Sequence, residues 1–184
     1  MKKFLMLFAA IMVVVGITNR GLAQDKVTLS GNTAGAELVV ALTIANTTSL
    51  HFGVIAIPAT AGAVTMNTAG SRTPTGTGVS TVASGTARRV AKFDLTGTVG
   101  DTYSFTLPSS ITVSTGTGGA NKEMTIDNFV VKVDGASEVA YGSIGTCTLS
   151  GGASTILVGG KLNINAAQTL GEYSGTYIVI VDYL

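Results

Sequence analysis

Residues 91–108 read Ala91-Lys92-Phe93-Asp94-Leu95-Thr96-Gly97-Thr98-Val99-Gly100-Asp101-Thr102-Tyr103-Ser104-Phe105-Thr106-Leu107-Pro108. Ala91, Phe93 and Leu95 alternate with Lys92, Asp94 and Thr96, and Tyr103, Phe105 and Leu107 alternate with Thr102, Ser104 and Thr106. A period of two places all apolar residues of a run on one face of a pleated strand, and the glycines between the runs mark a turn. The stretch therefore predicts two strands, each with one buried face.

The same period extends outward in both directions. Leu38, Val40, Leu42 and Ile44 alternate with Glu37, Val39, Ala41 and Thr43, and Leu162 and Ile164 alternate with Lys161, Asn163 and Asn165. Turn signals recur at Pro108-Ser109-Ser110, Gly116 to Gly119, Asp134-Gly135, Gly151-Gly152, Gly159-Gly160 and Leu170-Gly171. That spacing suits a sandwich or barrel, and no segment longer than a turn carries a 3.6-residue pattern. The expected fold is all-β: an immunoglobulin-like two-sheet sandwich of nine or ten short strands with essentially no helix. A closed barrel or jelly roll is the alternative.

Three local expectations follow. Met124 and Ile126 lie on one parity and Phe129, Val131 and Val133 on the other, so one extra residue near Asp127-Asn128 would bring all five to one face as a β-bulge. Residues 68–85 and 116–122, rich in Gly, Ser and Thr, read as exposed hairpin tips. The closing run carries Tyr177, Val179, Val181 and Tyr183 on one parity and Ile178, Ile180 and Leu184 on the other. Two apolar faces predict a strand that is central or otherwise covered.

The first 23 residues predict export. Lys2 and Lys3 precede an uncharged apolar run over residues 4–17, and Gly21 and Ala23 place small residues before a cut ahead of Gln24. That is the pattern of a secretory signal peptide, and the run is short of the roughly 20 residues a spanning helix needs. The expected organisation is a signal over 1–23 and one domain over 24–184, with no membrane span in the mature chain and a location in the periplasm, at the cell surface or outside the cell. Lys2, Lys3 and Arg20 leave with the signal, so eight cations face ten acids and the mature chain is weakly acidic. Such a chain lacks the basic footprint of a nucleic-acid binder. Charged residues make up 11% of the sequence against about 25% for an average domain, so little repulsion opposes self-association.

No constellation for chemistry assembles from the sequence, and the expectation is a non-enzyme with no catalytic, cofactor-binding or metal-ligating residues and no cofactor. His51 is the sole histidine, which rules out a two-histidine metal site; it reads as a solvent-facing strand end. Asp94 with Asp101, and Glu123 with Asp127, flank turns and could pair as glycosidase carboxylates, but they sit at polar positions and the chain has no Trp to platform a sugar. Gly159-Gly160-Lys161 is followed by Leu162, so it is no phosphate cradle and reads as a hairpin turn. Cys147, alone, reads as a small buried strand residue, and Arg88-Arg89 as an exposed strand start.

Several segments in fixed order carry a resemblance: Leu50-His51-Phe52-Gly53-Val54-Ile55, Ala91 to Gly97, Tyr103 to Ser110, Ile156 to Leu162, and Gly171-Glu172-Tyr173-Ser174-Gly175-Thr176-Tyr177. Together they resemble the bacterial domain of unknown function numbered 4402, from about Ala36 to Tyr183. The Phe-Gly and the closing Tyr-rich strand are more distantly similar to spore coat U domains and archaic chaperone–usher pilins. That resemblance implies an immunoglobulin-like subunit short of one strand, which a neighbour supplies by β-strand addition. The chain departs from those proteins in lacking paired cysteines, and before Gly31 only Val27 and Leu29 could serve as donor residues. The expected role is an exported structural or surface subunit, fimbrial or pilin-like, with itself or other surface subunits as partner. The alternative is a self-contained secreted module for glycan or matrix, with residues 68–85 and 116–122 as its binding edge and an aromatic platform of Tyr103, Tyr141 or Tyr173 exposed side by side.

Overall fold

A computed structural model describes residues 35–36, 38–56, 60–116, 118–143 and 146–184. The chain divides into two compact units at Glu37/Leu38, and the fold described below is that of the second. The expected signal over 1–23 and the segment 24–34 lie outside the described residues.

The chain is all-β. The long strand β12 (Ala153–Ile164) is the axis of an eight-stranded antiparallel sheet. Along one edge it pairs with β9 (Glu123–Val133), from Ile156 opposite Val133 to Asn163 opposite Thr125. Its other edge is shared. Residues 153–158 pair with β6 (Ala91–Thr96), and residues 160–164 pair with β3 (Gly62–Met66). Outside these lie β1 (Thr43–Thr48) on β6, β4 (Arg72–Thr75) on β3, and β8 (Ile111–Ser114) and β10 (Val139–Ala140) on β9.

Gly159 and Gly160 sit where the shared edge changes partner, and this corrects their reading as a hairpin turn. A Cβ on Gly159 would lie 2.2 Å from the Met66 carbonyl oxygen, and one on Gly160 would lie 3.1 Å from the Phe129 ring. The glycines serve close approach inside a strand rather than chain reversal, a use with the same sequence signature. Opposite them β9 carries the expected bulge: Asn128 and Phe129 together oppose Gly160, with Asn128 at φ 45°. Ile126, Phe129 and Val131 are consequently all buried, with Met124 and Val133 packed against the same core.

The second layer is a three-stranded sheet of β11 (Cys147–Thr148), β7 (Thr102–Thr106) and β13 (Ile180–Tyr183), with β7 in the middle. A small ribbon of β2 (Ile55–Ala56) and β5 (Ser80–Thr81) completes the thirteen strands of the described residues. Helix amounts to two three-residue 3-10 turns, Tyr141–Ser143 and Ser150–Gly152. The count exceeds the nine or ten expected because two-residue ladders such as β10 and β11 fall below what periodicity can register.

Residues 91–108 thus place their two strands in different sheets. β6 and β7 face one another across the core, and the Phe93 and Phe105 rings meet at 5.7 Å, tilted by 58°. Their shared inward faces, with Ile156, Val158, Leu162 and Ile164 of β12, make the core of a two-sheet β-sandwich. No closed barrel forms.

Two further expectations change. The alternation over residues 38–44 becomes strand only from Thr43, and Leu38 stands 96% exposed, because β6 ends at Thr96 and leaves nothing for residues 38–42 to pair with. Among the described residues the closing run is not central: β13 pairs with β7 alone, and residues 175–179 before it belong to no ladder. Hairpin tips at 68–85 and 116–122 are largely exposed as expected, although Thr68 and Val79 turn inward.

The Gly159→Ala variant should lose about 3 kcal/mol or more of stability, because both the Met66 carbonyl and the β9 side would have to move. A urea midpoint equal to that of the parent chain would show that the shared edge is not so tightly packed.

Candidate functional site

The residues singled out from sequence do not converge. His51 sits at an isolated bridge with Arg89, half-buried rather than solvent-facing, and its Nδ1 accepts the Gly53 N–H at 2.8 Å. That bond places the neutral ring's proton on Nε2. Gly53 has φ 74°, and a Cβ there would lie 2.9 Å from Nη1 of Arg72. The Phe-Gly segment is therefore a backbone cradle for an arginine that sequence reasoning did not single out.

The candidate carboxylates are distributed. Asp94 accepts hydrogen bonds from Lys92 Nζ at 2.9 Å, Thr155 Oγ1 at 2.8 Å and Thr47 Oγ1 at 2.9 Å, tying β6, β12 and β1 together on the outward face. These bonds, that from Lys92 first, hold its carboxyl below the usual range. Glu123 and Asp127 lie four residues apart on β9, and Asp127 Oδ1 is occluded without a hydrogen-bond partner. No group of three His, Cys, Asp or Glu side chains suited to a metal ion occurs among the described residues.

A polar chain, also absent from the sequence reading, buried at Tyr103 and Ser154 and exposed at Asp134, links the two sheets. Ser154 on β12 donates its one hydroxyl proton to Asp134 Oδ2 at 2.8 Å, so the Tyr103 hydroxyl on β7 is the donor in its 2.6 Å bond to Ser154 Oγ. Asp134 Oδ1 accepts the Thr155 N–H at 2.6 Å. Cys147 on β11 is buried and joins the chain at Tyr103. Burial pushes the Tyr103 hydroxyl well above its ordinary range, and burial, with the nearby Asp134 charge, likewise raises the Cys147 thiol. A thiol held protonated is a poor nucleophile, so this arrangement clamps the sheets rather than activating sulfur.

Of the tyrosines expected to offer an exposed platform, Tyr103 is 0% exposed, and Tyr141 and Tyr173 are half-buried. The Tyr141 hydroxyl accepts the Leu107 N–H at 2.6 Å, and the Tyr173 hydroxyl donates to the Thr169 carbonyl at 2.6 Å.

A seam lies between the layers. Among the described residues β1 pairs on one edge only, with β6, and β13 on one edge only, with β7; between β1 and residues 175–179, which belong to no ladder, lies a hollow of about 370 Å³ lined by Ile44, Leu50, Phe93, Tyr177 and Val179 together with the polar Asn46, Ser49 and Thr176. The Tyr183 hydroxyl accepts the Thr98 N–H and donates to the Val40 carbonyl, both at 2.9 Å, tying β13 to the segment ahead of β1. Ile178, ahead of β13, is 77% and Leu184, after it, 71% exposed. Burial raises the Tyr177 hydroxyl as well.

The fold defines the class: an all-β sandwich with a hollow, among the described residues, between β1 and the run leading into its last strand. The chain belongs to the family of the domain of unknown function DUF4402, whose family model matches residues 42–183. No curated protein and no solved structure matches it. No helix among the described residues is long and apolar enough to cross a membrane.

Two outcomes test these assignments. Because the folded-state carboxyl of Asp94 is depressed, its contribution to stability is complete above the unfolded value near 4 and fades as pH falls through the folded one. Asp94→Asn should therefore flatten the loss of stability below about pH 4, read as urea midpoints against pH; an unchanged acid limb would refute the triple contact. Cys147 should resist maleimide in the native protein and react promptly in urea, whereas equal rates would place its thiol at the surface.

Proposed function

We propose that this chain is an exported, non-enzymatic structural subunit that receives an extended segment along the seam between β1 and the closing strand, in the manner of a pilin. The observation that carries this reading is the hollow between β1 and residues 175–179, a run that belongs to no ladder, beside two strands that each pair on one edge only among the described residues. An open edge is a template for pairing, and soluble sandwiches cover, shorten or charge theirs. Among the described residues nothing pairs with the second edge of β13, and Ile44, Phe93, Tyr177 and Val179 offer apolar positions to alternate side chains of an added strand. Low charge and a signal-like N-terminus agree with assembly outside the cytoplasm. The candidate donor residues Val27 and Leu29 lie outside the described residues.

The test uses the mature chain beginning at Gln24. Strand addition predicts concentration-dependent oligomers, with amide exchange at residues 43–48 and 176–183 slowed at least tenfold on assembly. Val179→Lys, which puts an ammonium in the hollow while leaving the rest of the core intact, should remain monomeric with an unchanged far-ultraviolet spectrum. A parent chain that stays monomeric at all concentrations, with those amides already protected, would overturn the proposal.

A further inference from the structure

A second hollow, of about 510 Å³, lies beside residues 82–92, away from the seam. Arg72, Arg88, Arg89 and Lys92 line it, and no acidic side chain does. Four of the eight cations that follow residue 23, where ten acids outnumber them, thus meet at one place. Lys92 is committed to Asp94 at 2.9 Å, which is the single ion pair among the described residues. The three arginines face the hollow with no carboxylate in ion-pair contact among the described residues.

Arg72 is built into position. It leaves β4 and passes over Gly53, whose missing Cβ admits it. Its Nη1 donates to the Phe52 carbonyl at 2.8 Å and the Val54 carbonyl at 3.0 Å, and Nη2 donates to the Val82 carbonyl at 3.0 Å. Three of five guanidinium N–H groups are thereby used on neutral acceptors, leaving two and the whole charge. Arg88 donates Nε–H to the Gly70 carbonyl at 2.6 Å, which leaves its two terminal nitrogens unspent. Carbonyl partners orient these groups without cancelling their charge. Burial, and after it the Arg88 charge, lowers the proton affinity of Arg72, as expected of like charges held together without a counter-ion.

We propose that this hollow binds a single oxyanion group, a sulfate, phosphate or carboxylate, with Arg72 as its fixed floor and Arg88 and Arg89 as exposed arms that close on it. Planar guanidinium forks match such oxygens two at a time. A compact cluster of three arginines suits one isolated anionic group, whereas a nucleic-acid-binding domain is strongly basic overall and this chain has a formal net charge of +1. The site stands apart from the seam, so it holds or fails independently of strand addition.

The experiment follows backbone amide shifts of the mature chain as sodium sulfate or sodium phosphate replaces sodium chloride at constant ionic strength, with heparin as a second probe. Saturable shifts confined to residues 69–92 are expected, and Arg88→Gln with Arg89→Gln should weaken binding about tenfold or more, whereas Lys132→Gln with Lys161→Gln should not. Arg89→Gln alone, at an exposed side chain, keeps the test decisive if the pair disturbs the fold. Heparin binding at least tenfold tighter than sulfate through the same residues assigns a glycan-borne group; affinity equal to that of sulfate assigns the free ion. Equal response to chloride, or equal loss in the lysine pair, would overturn the site.

Discussion

The close passage of β12 beneath the end of β3 constrains everything else. One strand serves three partners, and it can do so only because Gly159 and Gly160 present no side chain where the Met66 carbonyl and the Phe129 ring come in. With one continuous neighbour on β9 and two half-length neighbours on the other edge, β12 fixes where β3 and β6 lie, and through them β4 and β1. The bulge at Asn128 on β9 keeps its apolar residues facing inward past that point.

The opposite layer is small by comparison, and two kinds of contact hold it on. Phe93 against Phe105 is the apolar one, and the hydroxyl chain from Tyr103 through Ser154 to Asp134 is the polar one. A buried hydroxyl without a partner costs about 1–3 kcal/mol, so the chain penalises any slip that separates β7 from β12. Because three strands cannot cover eight, a hollow remains between β1 and residues 175–179. Phe93 of the core and Ile44, Leu50, Tyr177 and Val179 packed against it reach the rim of that seam, beside the polar Asn46, Ser49 and Thr176.

Legibility in the sequence tracked how local each feature is. Strand identity for β6, β7 and β12, the β9 bulge, the burial of Cys147 and the turn at Asp134-Gly135 all depend on neighbours within a few residues, and alternation or turn chemistry displays them. The glycine pair of β12 was misread because close approach and chain reversal favour the same residue. The closing strand was misread because two apolar faces signal a buried strand only if a neighbour exists to bury it. The Arg72 cradle and the Tyr103 chain were invisible, since their partners lie 10 to 20 and 51 residues away.

What the chain determined by itself was the period of two, the punctuation between runs and the small total charge, because pleat geometry and backbone dihedrals act residue by residue. What only the tertiary structure decided was which edges pair, which arginine is lifted into a cradle of carbonyls, and which apolar strand is left at the rim. Those outcomes belong to contacts between distant segments, where hydrogen-bond satisfaction and excluded volume choose among arrangements that share one local pattern.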